Sequence, residues 1–372
     1  MIVCFFAPGF PGSYDSGYYS FVKQLVDAIA AQGNECYVIA PYNIRRFRKF
    51  IGSTEEYKIG RGSVHVYRPY FLSVSKVRAL QWLSRWTRNV ALRKAYKRIP
   101  NDIDFAYGHF WSSGYEAYKI VQSKNIPLFV ATGESDISRA FEIPKDVEGF
   151  KNYVKGVICV SGKNRDESIK IGLTTADKCE VFPNGINEHL FYKRDKKVCR
   201  QQLGLPNDAF IIAFVGWFIE RKGPLRVAAA ISMIGDDVKS LFIGKGEQDP
   251  ECDGILFKGQ LPHEEVPLYL NAADCFVLPT LAEGCCNAVV EAMACGLPVI
   301  SSNLQFNWDV LDESNSIMVD PNKITEISFA IRNLRSNKDK IDRLSQGALH
   351  KAQSLSIDRR AVSIMSFIKQ KL

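Results

Sequence analysis

Leu278-Pro-Thr-Leu-Ala-Glu-Gly-Cys-Cys-Asn-Ala-Val-Val-Glu-Ala-Met-Ala-Cys-Gly-Leu-Pro-Val-Ile300 is the stretch that decides the fold. It opens on the end of an apolar run, Cys275-Phe-Val-Leu278, which has the length of a buried strand. Pro279 and Thr280 end that run. A helix is expected from Cys286 to Cys295. Gly296 stands where a left-handed C-terminal cap belongs, and Pro298 blocks continuation. A second apolar strand is expected from Leu297 to Ile300. Strand, loop, helix, strand is the repeating unit of a parallel α/β sheet.

Two carboxylates mark this unit. Glu283 lies in the loop at the helix entrance. Glu291 lies eight positions on, roughly 12 Å along a helix axis at 1.5 Å per residue. Val289, Val290, Ala292 and Met293 flank Glu291, so its helix reads as largely buried. A buried carboxylate needs hydroxyl, amide or cationic partners, and a ribose diol is one such partner. The helix N-terminus adds free N–H groups and a positive dipole end, which suit a phosphate. The plainer alternative makes Glu283 a dipole-favouring charge and pairs Glu291 with an Arg or Lys elsewhere.

The pattern Glu-Gly-x-x-Asn-x-x-x-Glu-Ala-Met-Ala-x-Gly-x-Pro-Val resembles the signature of glycosyltransferase family 4, retaining enzymes of the GT-B fold that use nucleotide sugars. That resemblance implies an α/β chain of two Rossmann-like, doubly wound domains facing across a cleft. It places Glu283 against the transferred sugar and Glu291 on the nucleotide ribose. The backbone amides of Gly284, Cys285, Cys286 and Asn287 would meet sugar hydroxyls.

The rest of the composition bounds the reading. A length of 372 residues suggests two domains. The net charge of +8 is a moderate surplus whose meaning depends on its placement. Ten cysteines are scattered with no Cys-x-x-Cys pair, which fits free thiols in a reducing cytosol. Met1 to Pro8 lacks a basic leader and reads as a first strand rather than a signal peptide. The longest apolar run, Phe210 to Ile219, is too short to span a bilayer.

In the first half, Ile2 to Ala7 reads as a strand and Phe21 to Ile29 as an amphipathic helix stopping at Gly33. The turn-rich loop between them lacks a Gly-x-Gly-x-x-Gly fingerprint, which argues against a dinucleotide-binding dehydrogenase. The resemblance implies that a glycine of this loop, best matched by Gly17, faces the donor diphosphate. Lys76 to Arg98 holds eight Lys and Arg, no acidic residue and two tryptophans. That is the composition of a basic amphipathic helix on an anionic membrane surface, with a core-packed surface helix as the alternative. Arg45, Arg46, Arg48 and Lys49 add a second basic cluster. No nucleic-acid motif accompanies the charge. Asp102-Ile-Asp104 spells a metal-binding Asp-x-Asp but reads as a strand lead-in, and no metal is expected. His109, in Tyr-Gly-His-Phe-Trp, matches the family histidine beside acceptor and sugar. Where many members have His-Gly-x-Asp, this chain has Gly133, Glu134 and Asp136; Glu134 is a candidate acceptor-facing base.

In the second half, Pro183-Asn-Gly-Ile-Asn187 with Phe191 resembles a family marker segment, and Asn-Gly is a turn pair on any reading. Trp217-Phe-Ile-Glu-Arg-Lys-Gly223 resembles Gly-Arg-Leu-x-x-x-Lys-Gly, whose Arg and Lys neutralise the donor diphosphate. Lys222 matches the lysine. Trp217 stands at the arginine position, and Arg221 is the candidate replacement. Leu261 to Val266 would flank the nucleotide base. The expected domains are 1–171 with 356–372, and 172–355, with the hinge near Ile171 to Ala176 and a last helix after Ser356. The expected catalytic set is His109, Glu283 and Lys222, and the donor set is Gly17, Arg221, Lys222, Gly284, Cys285, Cys286, Asn287 and Glu291. No cofactor is expected, the donor being a nucleotide diphosphate sugar, by preference UDP-linked. The acceptor is a glycan or polyprenyl-linked saccharide, and the enzyme is expected in the cytoplasm, peripheral on the membrane face.

Overall fold

Apolar runs without polar alternation suit strands covered on both faces, and the chain builds two largely parallel sheets from them. A computed structural model of the protein describes residues 1–12, 19–44, 52–73 and 81–372. Gly17, the basic cluster Arg45, Arg46, Arg48 and Lys49, and the start of the basic stretch at Lys76 and Arg78 lie outside the described residues.

Met1–Val160, Asn164–Phe182 and Arg360–Leu372 form one unit. Its strands are β1 Ile2–Phe6, β2 Glu35–Ile39, β3 Tyr42–Asn43, β4 Thr54–Ile59, β5 Gly62–Tyr67, β6 Tyr70–Phe71, β7 Phe105–His109, β8 Leu128–Thr132, β9 Val154–Cys159 and β10 Cys179–Val181. The helices over the same span are α1 Ser20–Ala31, α2 Gln81–Tyr96, α3 Trp111–Val121, α4 Ile137–Ala140, α5 Val147–Tyr153 and α6 Gly162–Lys170. The main sheet runs β10-β9-β8-β7-β1-β2-β5-β4, and only β4 is antiparallel. The strand order reverses between β1 and β7, where Phe6 pairs with Gly108. A doubly wound sheet binds ligands at the carboxyl ends of such strands, so His109, the last residue of β7, stands at a switch point. Gly108 fixes the local packing. A Cβ there would come within 2.3 Å of Gly114 Cα, so β7 and α3 touch almost backbone to backbone.

Ser161–Lys163 and Pro183–Arg359 form the second unit. Its strands are β11 Phe210–Val215, β12 Val238–Ile243, β13 Ile255–Gly259, β14 Cys275–Leu278, β15 Val299–Ser302 and β16 Ser316–Val319. Its helices are α7 Lys196–Leu203, α8 Pro224–Ser232, α9 Val266–Ala272, α10 Asn287–Ala294, α11 Ile324–Arg335 and α12 Lys338–Gln353; the last helix, α13 Ile357–Lys371, contributes Arg360 onward to the first unit. All six strands are parallel, in the order β13-β12-β11-β14-β15-β16. The reversal here falls between β11 and β14. The loops after these two strands carry Arg221 with Lys222 and Glu283.

The opening stretch folds nearly as its residues dictate. Cys286 and Cys295 cap α10, and Gly296 takes φ +76°. Its N–H donates to Met293 O and that of Leu297 to Ala292 O, which closes the helix. The following strand starts at Val299 rather than Leu297, because the cap uses Leu297 and Pro298. The chain passes to the second unit after Phe182, not at 171–176, because Cys179–Val181 still pairs with β9. Asp104 is a strand lead-in: its carboxylate accepts the Ile2 N–H at 2.6 Å.

Candidate active site

The loop after β11 is pinned before it reaches its charged residues. Gly216 N–H donates to Ile243 O, Phe218 N–H to Lys245 O and Lys222 N–H to Ile219 O. Leu281 N–H donates to Arg221 O, which ties this loop to the one after β14. The two loops thereby bring Arg221, Lys222 and Glu283 together. Lys222 Nζ and Arg221 each lie 2.6 Å from Glu283 Oε1. Thr280 Oγ1 donates to the same oxygen at 3.0 Å, and Arg221 also donates to Ala282 O. Lys222 is the buried member, its side chain 11% exposed. Burial pulls its pKa down, but Cys286 and Glu283 outweigh that and the net shift is upward, so the ammonium is charged at neutral pH. Its Nζ lies 3.8 Å from Cys286 Sγ. Burial pushes the Cys286 thiol up in turn, and Lys222 opposes the shift.

Arg221 thus stands beside Lys222 on the same Glu283 oxygen, with Ala282 O as its second partner. Trp217 is exposed, and Lys245 Nζ lies 5.6 Å above its ring. Asn184, read from sequence as half of a turn pair, stitches the α10 entrance. Its side-chain amide donates to Cys285 O at 2.9 Å and Asn287 Oδ1 at 2.7 Å, and its backbone N–H points at Cys285 Sγ. Gly284, Cys285 and Cys286 are buried in that entrance. Glu291 meets His263 Nε2 at 3.0 Å, so among the described residues its partner is a histidine and not the Arg or Lys of the plainer reading. Asn184 and His263 lie in segments marked by the family resemblance, but nothing in the sequence names their partners or those of Thr280, because hydroxyl, amide and imidazole groups are common in loops.

In the first unit His109 is buried among the rings of Phe110, Phe21 and Tyr107. Burial, aided by the Arg360 charge, lowers its pKa to about 3, so the imidazole is neutral across the physiological range. Among the described residues its buried Nδ1 has no hydrogen-bond partner. Phe110, the next residue, takes φ +75°, a strained value for a residue with a Cβ. Glu134 holds that turn. Its Oε1 accepts the Trp111 N–H at 2.8 Å, and Oε2 accepts Thr132 Oγ1 and the Gly133 N–H at 2.7 and 2.9 Å. A carboxylate so occupied is a clamp on the β7–α3 turn, which removes it as an acceptor-facing base. Asp136 caps α4 through the Arg139 N–H.

The neutral His109 makes a prediction about acid. Its folded pKa lies below the unfolded value, so the unfolded chain takes up the proton first. The stabilisation is complete above pH 6.5 and is lost as pH falls toward 3. Urea unfolding of the wild type from pH 7 to pH 5 should weaken by up to one proton's worth of slope more than that of His109→Gln. Equal slopes would contradict a buried neutral imidazole.

Two family models match the chain: Glycosyltransferase Family 4 over residues 17–190 and Glycosyl transferases group 1 over residues 195–351. TuaC of Bacillus subtilis strain 168, a glycosyltransferase named for teichuronic acid biosynthesis, is 28% identical over 87% of this chain and 86% of its own length. A D-inositol 3-phosphate glycosyltransferase of Thermomonospora curvata is 23% identical over 94% of this chain and 89% of its own. Among solved structures, sucrose-phosphate synthase of Thermosynechococcus elongatus superposes with a TM-score of 0.80 at 20% identity, covering 99% of this chain and 98% of that one. Anabaena HepE in complex with UDP-glucose gives 0.74 at 16% identity, covering 99% of each chain. The fold is that of the GT-B enzymes, two Rossmann-like units, and with one family model on each half the chain belongs to the family 4, group 1 glycosyltransferases.

Proposed function

We propose that the protein moves a sugar, with retention, from a UDP-sugar to a lipid-linked saccharide in the synthesis of a bacterial surface polysaccharide. The observation that carries the donor half is the switch-point cluster of Arg221, Lys222 and Glu283 beside the N-terminus of α10. In this reading Lys222, with Arg221 and the Gly17 loop, holds the diphosphate, and Glu291 holds the ribose. The amides of Gly284 to Asn287 meet sugar hydroxyls, and Glu283 and His109 are assigned to the sugar itself. The acceptor oxygen bonds to the anomeric carbon on the face from which the diphosphate departs. The anomeric C–O bond to the β-phosphate breaks, and the acceptor proton passes to the departing phosphate oxygen. Lys222 faces the charge that grows on that oxygen, so no metal ion is required. HepE, solved with UDP-glucose, supports the choice of UDP, and TuaC the choice of polysaccharide.

The test is a thermal-shift panel of UDP, GDP, ADP and their common sugar conjugates, with and without magnesium. Ligand well above its Kd stabilises by about 3 kcal/mol. One nucleotide should raise the Tm without magnesium, and Glu291→Ala should abolish the rise. No shift with any nucleotide would remove the donor-site assignment and leave a non-catalytic scaffold as the reading.

Helix α2 carries the acceptor half. Trp82, Trp86 and Val90 recur every fourth residue and are exposed, with Arg85 and Arg93 exposed beside them. Ala91, Leu92, Ala95 and Tyr96 face the core. Tryptophans flanked by arginines suit an anionic lipid surface, and no helix among the described residues is long and apolar enough to cross a membrane. Arg88 is not part of this face: it forms two hydrogen bonds to Glu116 and lies over Phe71. Trp82→Ser with Trp86→Ser should therefore weaken co-sedimentation with phosphatidylglycerol vesicles about 10-fold and leave the Tm unchanged. Unaltered sedimentation would favour a soluble acceptor, the second reading, which the D-inositol 3-phosphate and sucrose-phosphate enzymes among the relatives motivate.

A further inference from the structure

Glu291 does not stand alone in the donor site. Its Oε1 lies 3.0 Å from His263 Nε2. An ionised carboxylate only accepts, so Nε2 carries the hydrogen and donates it. The imidazole comes from the loop between β13 and α9, and the carboxylate from α10. Phe191, which is buried, packs on the imidazole with ring centroids 5.1 Å apart. Val289, Val290, Ala292 and Met293 bury the helix turns around Glu291. Both polar groups nevertheless keep an open edge, 26% of the His263 side chain and 14% of that of Glu291. Burial pulls the imidazole's pKa down, yet the Glu291 bond and charge, with Glu264 nearby, move it upward overall. The interaction is therefore strong enough to outweigh desolvation.

A lone carboxylate on a helix has several rotamers, and a ribose diol needs one of them. We propose that His263 is a positioning residue for ribose recognition: it holds Glu291 through Oε1 and leaves Oε2 to accept the ribose hydroxyls. The ribose-reading group is then the His263–Glu291 pair, with Phe191 as its backing. This rests on the donor-site reading above, in which Glu291 faces a nucleotide. It adds that selectivity for ribose over deoxyribose is set by a residue that does not touch the sugar.

The test measures affinity by titration calorimetry for UDP, GDP, ADP and their 2′,3′-dideoxy counterparts. The proteins are the wild type, His263→Phe and His263→Gln. Phenylalanine keeps the packing against Phe191 and removes the donor; glutamine returns an N–H near the position of Nε2. A hydrogen bond to a charged group is lost at a cost of roughly 10- to 100-fold in an equilibrium constant. The wild type should prefer one ribonucleotide over its dideoxy form by about 30-fold. His263→Phe should cut that preference to about 3-fold while binding the dideoxy form as the wild type does, since the diphosphate contacts are untouched. His263→Gln should restore most of the preference. An unchanged preference in His263→Phe overturns the positioning role and leaves the donor site standing. Equal loss for both sugar forms overturns it too, as the mark of a merely structural residue. A wild type that binds none of the three nucleotides overturns the donor-site reading and this proposal together.

Discussion

Lys222→Met lowers kcat/KM for glycosyl transfer about 10³-fold, an increase of about 4 kcal/mol in the barrier. The ammonium is nearly enclosed and held by Glu283 at 2.6 Å, so its position is fixed before any ligand arrives. A fixed charge in a water-poor site acts on developing negative charge without the reorganisation that water would need. The leaving diphosphate gains that charge as the anomeric bond breaks. Methionine has similar length and no charge. The fold survives the change, because Glu283 keeps Arg221 and Thr280. The loss should therefore fall mainly on kcat, with the Kd of the nucleoside diphosphate rising only about 10-fold. Arg221→Met should cost less, because Arg221 is the more exposed cation, with 34% of its side chain open, and is screened accordingly. A Lys222→Met enzyme within about 10-fold of wild-type turnover would take the leaving-group role away from this lysine.

The parts of this site that were legible in the sequence are those fixed by backbone geometry. The helix from Cys286 to Cys295 could be read because Pro279 ends the strand, the apolar run supplies a buried face, Gly296 is free to take the left-handed cap and Pro298 blocks continuation. The loop lysine and the two glutamates were singled out by the resemblance to glycosyltransferase family 4; the parallel sheet adds that the loops after β11 and β14 emerge at one end. The edge strand β10 was not legible. Three residues, Cys179–Val181, carry no periodicity, and only their pairing with β9 makes them a strand. Side-chain partners were equally hidden. Glu134 is two residues from Thr132 but 23 from Trp111, and nothing local says that a carboxylate in a Thr-Gly-Glu turn will clamp a distant helix start. The same holds for Asn184, whose partners lie 101 and 103 residues away. The missing family arginine at Trp217 was visible as a departure, but the neighbour that sits on it, Lys245, comes from the next strand's turn. Pattern fixes the elements, whereas register and loop length decide which polar groups meet.

Arg200→Ala destabilises the second unit by about 3–5 kcal/mol, the usual cost of removing one partner from a buried charged network. No sequence pattern singles out Arg200, which sits in a helix of ordinary polar composition. The structure makes it a hub. It is 3% exposed and donates from Nε to Ala272 O at 2.8 Å, from one Nη to Asn207 O at 2.6 Å and Ala209 O at 3.1 Å, and from the other to Asp274 at 2.7 Å. Asp274 in turn accepts the Ile211 N–H at 2.7 Å. The guanidinium thus ties α7 to the end of α9 and to the starts of β11 and β14, the two strands that flank the switch point. Alanine would strip the guanidinium from four carbonyls, those of Ala272, Pro206, Asn207 and Ala209, and from Asp274, so a hydrophobic replacement such as Arg200→Met should do no better. Lys196 also reaches Asp274, at 2.5 Å, but its side chain is 45% exposed, and Lys196→Ala should cost less than about 1 kcal/mol. Amide hydrogen exchange separates this effect from a global loss. In Arg200→Ala the amides of β11 and β14 should exchange about 10²–10³-fold faster, as a few kcal/mol of local opening requires, while those of β1, β7 and β8 in the first unit stay as protected as in the wild type. Exchange that quickens equally in both sheets would mean that Arg200 supports the whole chain rather than the frame of the donor loops. Exchange that does not quicken at all would mean that water replaces the guanidinium at all of its carbonyls.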